Sequence, residues 1–315
     1  MTTLLQGLHH VTATVNDAQE DVNFYTRVLG MRLVKKTVNF DNHHVYHFYY
    51  GNTVGQPGTI MTTFPYKDQG VPVGTRGLGQ ITLTSFSVPD AALDFWSRRL
   101  AAHGVLVTRE ASAFGEELLR FPDPSGLELR LVAASGDALD PWVQPEVGVD
   151  RATRGIHSVS LLVRDPARTL ALLGGVLGGK VVDETDGGVR VAIGSGGPGR
   201  TVELLRAPAG APTAVNGLGT VHHVAFAIGS PEEQLDIREE LLRRGYGVTE
   251  VRDRQYFLSI YFREPNGVLF EIATVAPGFT VDEEIPCLGQ DLKLPPWEEP
   301  YRADIEAHLP VLVRE

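Results

Sequence analysis

Residues 7–15 read GLHHVTATV, and residues 220–228 read TVHHVAFAI. Both runs alternate like a strand with one face on a core. Both also carry two adjacent histidines where such strands usually hold valine or isoleucine. Neighbouring strand residues point to opposite faces, so regular alternation gives the two histidines of a pair different surroundings. In the first run His9, Val11, Ala13 and Val15 share one face, and His10, Thr12 and Thr14 share the other. In the second, His222, Val224, Phe226 and Ile228 form the more apolar face. His223 lies with Ala225 and Ala227, small residues that leave room for a ligand. The same phase in both strands selects His10 and His223 as the inward-facing pair.

Outward from each run the chain repeats one order of elements: a short alternating strand, an amphipathic helix, then strands ending in an apolar run. The first copy has NDAQEDVNFYTRVLG as its helix and closes at GTIMTTF. The second opens with LGQITLTSFSV, continues with PDAALDFWSRRLAAHG and closes at DPSGLELRLV. The third has IHSVSLLV, DPARTLALLGGVLG and RTVELLRA; the fourth has VHHVAFAI, SPEEQLDIREELLRRGY and EPNGVLFEIAT. Asn16 or Asp17, Asp90, Asp165 and Ser230 are the expected N-caps, and Gly30, Gly104 and Gly245 the expected stops. Val22, Tyr25, Val28 and Leu29 give the first helix one face for a sheet. The Gly- and Pro-rich stretches GVPVGTRG and GSGGPGR fit module joints and hairpin tips. The expected fold is α+β: four βαβββ modules at 1–66, 67–146, 147–215 and 216–280, forming two curved, cup-shaped mixed sheets with helices outside. Residues 281–315 fall outside the repeat, pack over it and end in a helix.

The repeats allow columns to be compared. With the opening strands in register, His10 falls beside Gln80, Ser158 and His223; in the closing strands Thr62, Arg130, Glu203 and Glu271 share a column. Modules 1 and 4 therefore offer His10, His223 and Glu271, whereas modules 2 and 3 look like a degenerate copy. A lone strand histidine is usually a hydrogen-bonded core residue. Matching histidines in both partner modules, with a glutamate in the expected column, point instead to a metal. Two imidazoles and one carboxylate can occupy one face of an octahedron, an arrangement suited to non-haem Fe(II) with open positions for substrate and oxygen. Thr62 is a poor ligand, and a carboxylate there would favour a more saturated, isomerase-type site. His157 lies one position out of the ligand register and reads as structural, and Glu203 as ion-paired or solvated.

Composition bounds the rest. The chain has 315 residues, 43% hydrophobic and 21% charged, with a formal net charge of −11. That acidity argues against nucleic acid or an anionic membrane as partner. Cys287 is the only cysteine, so an intrachain disulfide is excluded. The N-terminus lacks the pattern of a signal peptide, and no stretch approaches a membrane span. A cytoplasmic location is expected. A homo-oligomer is compatible with the chain, although no heptad or apolar run marks an interface.

Four such modules, the HHV openings and the late GVLFE strand resemble the vicinal oxygen chelate superfamily of glyoxalases, bleomycin-resistance proteins and extradiol dioxygenases. Within it, LHHVT, FYTRVLGMRLVKKTVNFD, YHFYYGN, GQPGTIMTTFP, HHVAFA and LGQDLKLPP resemble the hydroquinone-type ring-cleaving dioxygenases along nearly the whole chain. The resemblance implies Fe(II), or Mn(II), held by His10, His223 and Glu271, with Zn or Ni as adventitious occupants. In the catechol-type enzymes the first histidine would correspond to the third module, near His157; here Ser158 occupies that register. The resemblance further implies that His9, Thr12, His222, Arg254 and Tyr261 contact the substrate or surround the ligands. Of these, Arg254, Tyr261 and His222 are the candidates for charge stabilisation and proton transfer. Regular alternation turns His9 and His222 away, so a twist or bulge is needed to bring them in.

The expected activity is oxygen-dependent ring cleavage of a hydroquinone or related dihydroxylated aromatic, bound through one deprotonated hydroxyl, with both atoms of O2 incorporated. Two other readings remain: a glyoxalase-like isomerase or lyase, which turns over without oxygen, and a non-catalytic binder of small aromatics or antibiotics, which holds its ligand after metal is stripped.

Overall fold

The computed structural model describes residues 5–313. Each quarter of the repeat is a strand, a helix and three more strands. The first comprises β1 (Gly7–Val15), α1 (Ala18–Asn23), β2 (Arg32–Asn39), β3 (Asn42–Gly51) and β4 (Ile60–Pro65). The second comprises β5 (Gln80–Val88), α2 (Leu93–Ala102), β6 (Thr108–Ala111), β7 (Glu117–Pro122) and β8 (Glu128–Ala133). The third comprises β9 (Ile156–Val163), α3 (Pro166–Gly175), β10 (Lys180–Thr185), β11 (Gly188–Ala192) and β12 (Thr201–Arg206). The fourth comprises β13 (Thr220–Ile228), α4 (Pro231–Arg243), β14 (Arg252–Asp253), β15 (Phe257–Arg263) and β16 (Leu269–Pro277), and α5 (Arg302–His308) lies in the tail.

Local chemistry explains the helix starts. Asp17 Oδ1 accepts from the backbone N–H of Gln19 and Glu20 at 2.8 and 2.9 Å, and Asp165 and Ser230 cap α3 and α4 in the same way. Asp90 does not cap: Pro89 fixes an extended entry, and Asp90 opens a single 3₁₀ turn ahead of α2. After α1 the chain continues as a π-helical turn, Phe24–Val28, which buries Phe24 and Tyr25 before Gly30 (φ 68°) ends it. Val22 and Val28 pack at the margin of the core, while Tyr25 and Leu29 are inside it.

The quarters assemble into two eight-stranded mixed sheets, β14-β15-β16-β13-β1-β4-β3-β2 and β10-β11-β12-β9-β5-β8-β7-β6. Within a quarter the opening strand runs parallel to the closing one, and between quarters the opening strands pair antiparallel, β1 with β13 and β5 with β9. The segments entering β5 and β13 bridge each other at Val73–Leu218, Thr75–Val215 and Leu78–Thr213. At the second entry Gly219 (φ 77°) lies so close to the Ser125 carbonyl that a Cβ would sit 2.2 Å from it.

The ladders carry one irregularity in all four opening strands. Leu8 pairs with Phe226 and His10 with Ala225, so His9 is an extra residue in β1; Thr12 pairs with His223 and Ala13 with Val221, so His222 is extra in β13. In the other sheet Thr82 and His157 are extra in the same sense. Bulges of this kind re-aim side chains. The column that precedes the candidate ligand is thus a bulge four times over: His9, Thr82, His157 and His222.

The register corrects one expected alignment. Arg130 pairs with Ser85 as Thr62 pairs with Thr12, and Glu271 with Ala225. Leu83, not Gln80, therefore stands where His10 stands in the first quarter; Gln80 pairs with Leu162 further along the ladder.

Outside the cups, Val11, Ala13, Phe226, Phe270 and Ile272 join one continuous core with the helices, each large side chain contributing about 1.5–3 kcal/mol on burial. The tail is anchored to the first sheet through Lys35, whose fully buried ammonium pairs with Asp282 at 2.5 Å and with Glu283. Arg32 bonds the Ile285 carbonyl, and Leu292 bridges Lys36. Among the described residues no helix is long and apolar enough to cross a membrane.

Candidate metal centre and its cavity

β1, β13 and β16 lie side by side, and their inward side chains bring His10, His223 and Glu271 together. His10 Nε2 is 3.3 Å from His223 Nε2. Glu271 Oε2 lies 3.3 Å from His10 Nε2 and 2.8 Å from His223 Nε2. All three residues are buried.

The bulges explain the paired histidines. Each bulge residue is brought onto its neighbour's ring: His9 Nδ1 is 2.9 Å from His10 Nδ1, and His222 Nδ1 is 2.7 Å from His223 Nδ1. His9 also bonds the Thr274 backbone, which commits its other ring nitrogen as a donor and leaves Nδ1 as acceptor. His10 Nδ1–H then donates, and the lone pair of His10 falls on Nε2, toward Glu271. The His222–His223 pair repeats the Nδ1–Nδ1 contact. Burial pushes His9 and His222 down to about 3, with the neighbouring histidine adding to the effect, so both are neutral.

This donor set fits a cation. Two imidazole lone pairs and a carboxylate oxygen converge at 2.8–3.3 Å, and Glu271 Oε2 is buried without a hydrogen-bond donor. Such a convergence is repulsive unless a positive charge sits within it. Glu271 Oε1 is separately fixed by the Ser259 hydroxyl. Thr62 cannot complete a fourth position. Its hydroxyl donates to Thr12 Oγ1 at 3.0 Å and takes the proton of His47 Nε2 at 2.8 Å.

The three donors lie on the floor of a cavity of about 200 Å³, small beside the roughly 300–1,000 Å³ of sites for drug-sized ligands. A single aromatic ring matches that space. Phe64 and Phe257 supply apolar wall. His222, Arg254 and Tyr261 also line it, whereas His9 and Thr12 do not and stand behind the ligands. Arg254 Nε donates to the Tyr261 hydroxyl at 3.1 Å, and Nη2 reaches Asp41 at 3.0 Å. Burial raises the Tyr261 hydroxyl above its ordinary value despite Arg254, so it is a phenol at neutral pH. Ala225 and Ala227 leave no ligand space: Ala225 packs with Tyr49, Phe257 and Phe279 in a small cluster beneath the site, and Ala227 borders a different cavity.

His47 escaped sequence reading. It lines the cavity, and its Nδ1 accepts from the Tyr49 hydroxyl at 3.0 Å. The signal was YHFYYGN, in which His47 and Tyr49 alternate onto one face. Without a counterpart in another module it offered no column to test.

The chain belongs to the Glyoxalase/Bleomycin resistance protein/Dioxygenase superfamily, whose model matches residues 7–131 and 155–272. It is similar to MhqO of Bacillus subtilis (strain 168), provisionally named a ring-cleaving dioxygenase, with 43% identity over 98% of this chain and 97% of that one. The chlorohydroquinone/hydroquinone 1,2-dioxygenase of Sphingobium indicum is 35% identical over 96% of this chain and 95% of its own. A crystal structure of a provisionally assigned dioxygenase from Bacillus subtilis superposes with a TM-score of 0.94 at 42% identity, covering 99% of both chains.

Proposed function

We propose that the protein is an Fe(II)-dependent ring-cleaving dioxygenase acting on a hydroquinone or a related dihydroxylated aromatic, with modules 1 and 4 supplying the working site. The carrying observation is the convergence of His10 Nε2, His223 Nε2 and Glu271 Oε2 at 2.8–3.3 Å on the floor of a single-ring cavity. The likeness to the Sphingobium indicum enzyme supports the substrate class. Mn(II) suits the same mixed N/O set. One chain supplies all three ligands, so the site does not require a second copy.

His10, His223 and Glu271 would hold the ion, which would supply Lewis-acid and one-electron chemistry for a substrate oxygen and O2. The protein does the rest. His9 and His222 hold the ligand imidazoles in one tautomer and orientation. Phe64 and Phe257 flank the ring and exclude water. Arg254 is the fixed positive charge facing an anionic, ring-bound oxygen. Arg254 Nε–H donates to the Tyr261 oxygen and holds the phenol, a proton donor at neutral pH, at the cavity wall.

The test is oxygen consumption after anaerobic reconstitution with Fe(II), offering methyl- and chlorohydroquinone with catechol for comparison. Uptake that requires iron and hydroquinone and disappears in His10→Ala is expected. Iron-loaded protein that consumes no oxygen with any of these, yet isomerises a hemithioacetal anaerobically, would replace the dioxygenase with a glyoxalase-type lyase.

A further inference from the structure

The chain contains a third HHV triplet, His43–Val45, at the start of β3. It lies outside the cavity described above, half-buried under the C-terminal helix. His44 Nε2 is 2.8 Å from Asp304 Oδ2 of α5, and His43 Nδ1 is 2.7 Å from Glu298 Oε2 just ahead of that helix. Ligand atoms from His43, His44 and Asp304 all lie within 4.8 Å of one another.

We propose that this cluster is a second metal site, for a borderline transition ion such as Zn2+, that fastens the C-terminal segment to β3. Three observations carry it. First, the donor chemistry is two imidazoles and a carboxylate, which suits Zn, Ni and Cu better than alkaline-earth ions. Second, His43 has the carboxylate partner that metal-bound histidines commonly have on their second ring nitrogen. Its Nδ1 donates to the 11% exposed Glu298 carboxylate, which leaves the Nε2 lone pair open. Third, the 2.8 Å approach of His44 Nε2 to Asp304 equals the shortest separation among the donors of the buried centre. An ion would replace the shared proton there. The His44 ring is held in place by His308, stacked at 4.0 Å between centroids. His308 in turn donates Nδ1–H to the Asp304 carbonyl at 2.8 Å.

The consequence is mechanical. Two of the three ligands belong to the sheet and one to the tail, so the ion can bind fully only when the tail is docked. At ten times its Kd, such an ion lowers the population of detached tail about tenfold.

The test uses Zn2+ alone, titrated calorimetrically into the 315-residue chain. Glu271→Ala removes the buried centre, so that variant should bind one equivalent, and Glu271→Ala/Asp304→Asn none. Zn2+ should also slow tryptic cleavage after Arg302 about tenfold at ten times its Kd in wild type, but not in Asp304→Asn. His43→Asn is the companion variant should Asp304→Asn undock the tail by itself. The proposal is overturned if Glu271→Ala binds no Zn2+, if Asp304→Asn and His43→Asn leave its binding intact, or if Zn2+ leaves the tryptic rate unchanged. None of these outcomes bears on the dioxygenase reading.

Discussion

The two sheets share strand order, bulge positions and columns, yet their cups differ in what fills them. In the first, the ligand columns hold His10, His223 and Glu271, with Thr62 tied to Thr12 and His47. In the second, the same columns hold Leu83, Ser158, Glu203 and Arg130. Glu203 accepts from Ser160 and Arg190, each at 2.6 Å. Arg190 also reaches Glu116 at 2.5 Å, and Glu116 lies 3.4 Å from His157. One cup leaves a carboxylate oxygen without a donor; the other neutralises its carboxylates with guanidinium. The backbone is common to both, so the chemistry resides in which side chains the four bulges and columns receive.

Each expected outcome below sets one cup against the other. The largest effect is Glu271→Ala or His223→Ala, which in the Asp304→Asn background should abolish iron retention and oxygen uptake, while Ser158→Ala in the same background leaves both at wild-type levels. Tyr261→Phe should lower kcat about 10²-fold, the lower end for loss of a positioned proton donor, with metal content unchanged. In the second cup its position is held by Arg190, which stands opposite Glu203 as Tyr261 stands opposite Glu271. At the bulge, His9→Ala and His222→Ala should each reduce metal affinity or activity about 10–100-fold, whereas His157→Ala at the equivalent position should do neither. A loss in His157→Ala equal to that in His222→Ala would show that the bulge histidine serves the fold rather than the metal. Smallest in activity, Arg190→Met should cost about 3 kcal/mol of stability in urea unfolding by stranding two carboxylates, yet leave turnover per folded molecule intact.

Much of this contrast was legible in the sequence because it repeats. His10, His223 and Glu271 emerge from columns that only a repeat makes visible, and the second cup lacks histidine in the same columns. What escaped depends on pairing between distant strands. A bulge is one residue counted against a partner, so alternation within HHV turns His9 and His222 away, whereas the bulges bring each onto its neighbour's ring. The expected alignment set Gln80 beside His10; the strand end before the helix, Val15 against Val88, sets the true register and yields Leu83. His47 has no repeat counterpart. Lys35 is paired only by Asp282 and Glu283 from the distant tail, a contact that no local pattern announces.

The most direct measurement is iron content per chain after anaerobic Fe(II) loading and desalting, in Glu271→Ala and in Glu203→Ala. Both are made in the Asp304→Asn background, which silences the surface cluster. Retention of one iron by Glu203→Ala and none by Glu271→Ala is the predicted result. Iron that stays in Glu271→Ala, or leaves only in Glu203→Ala, would contradict the assignment of the metal to the cup built by modules 1 and 4.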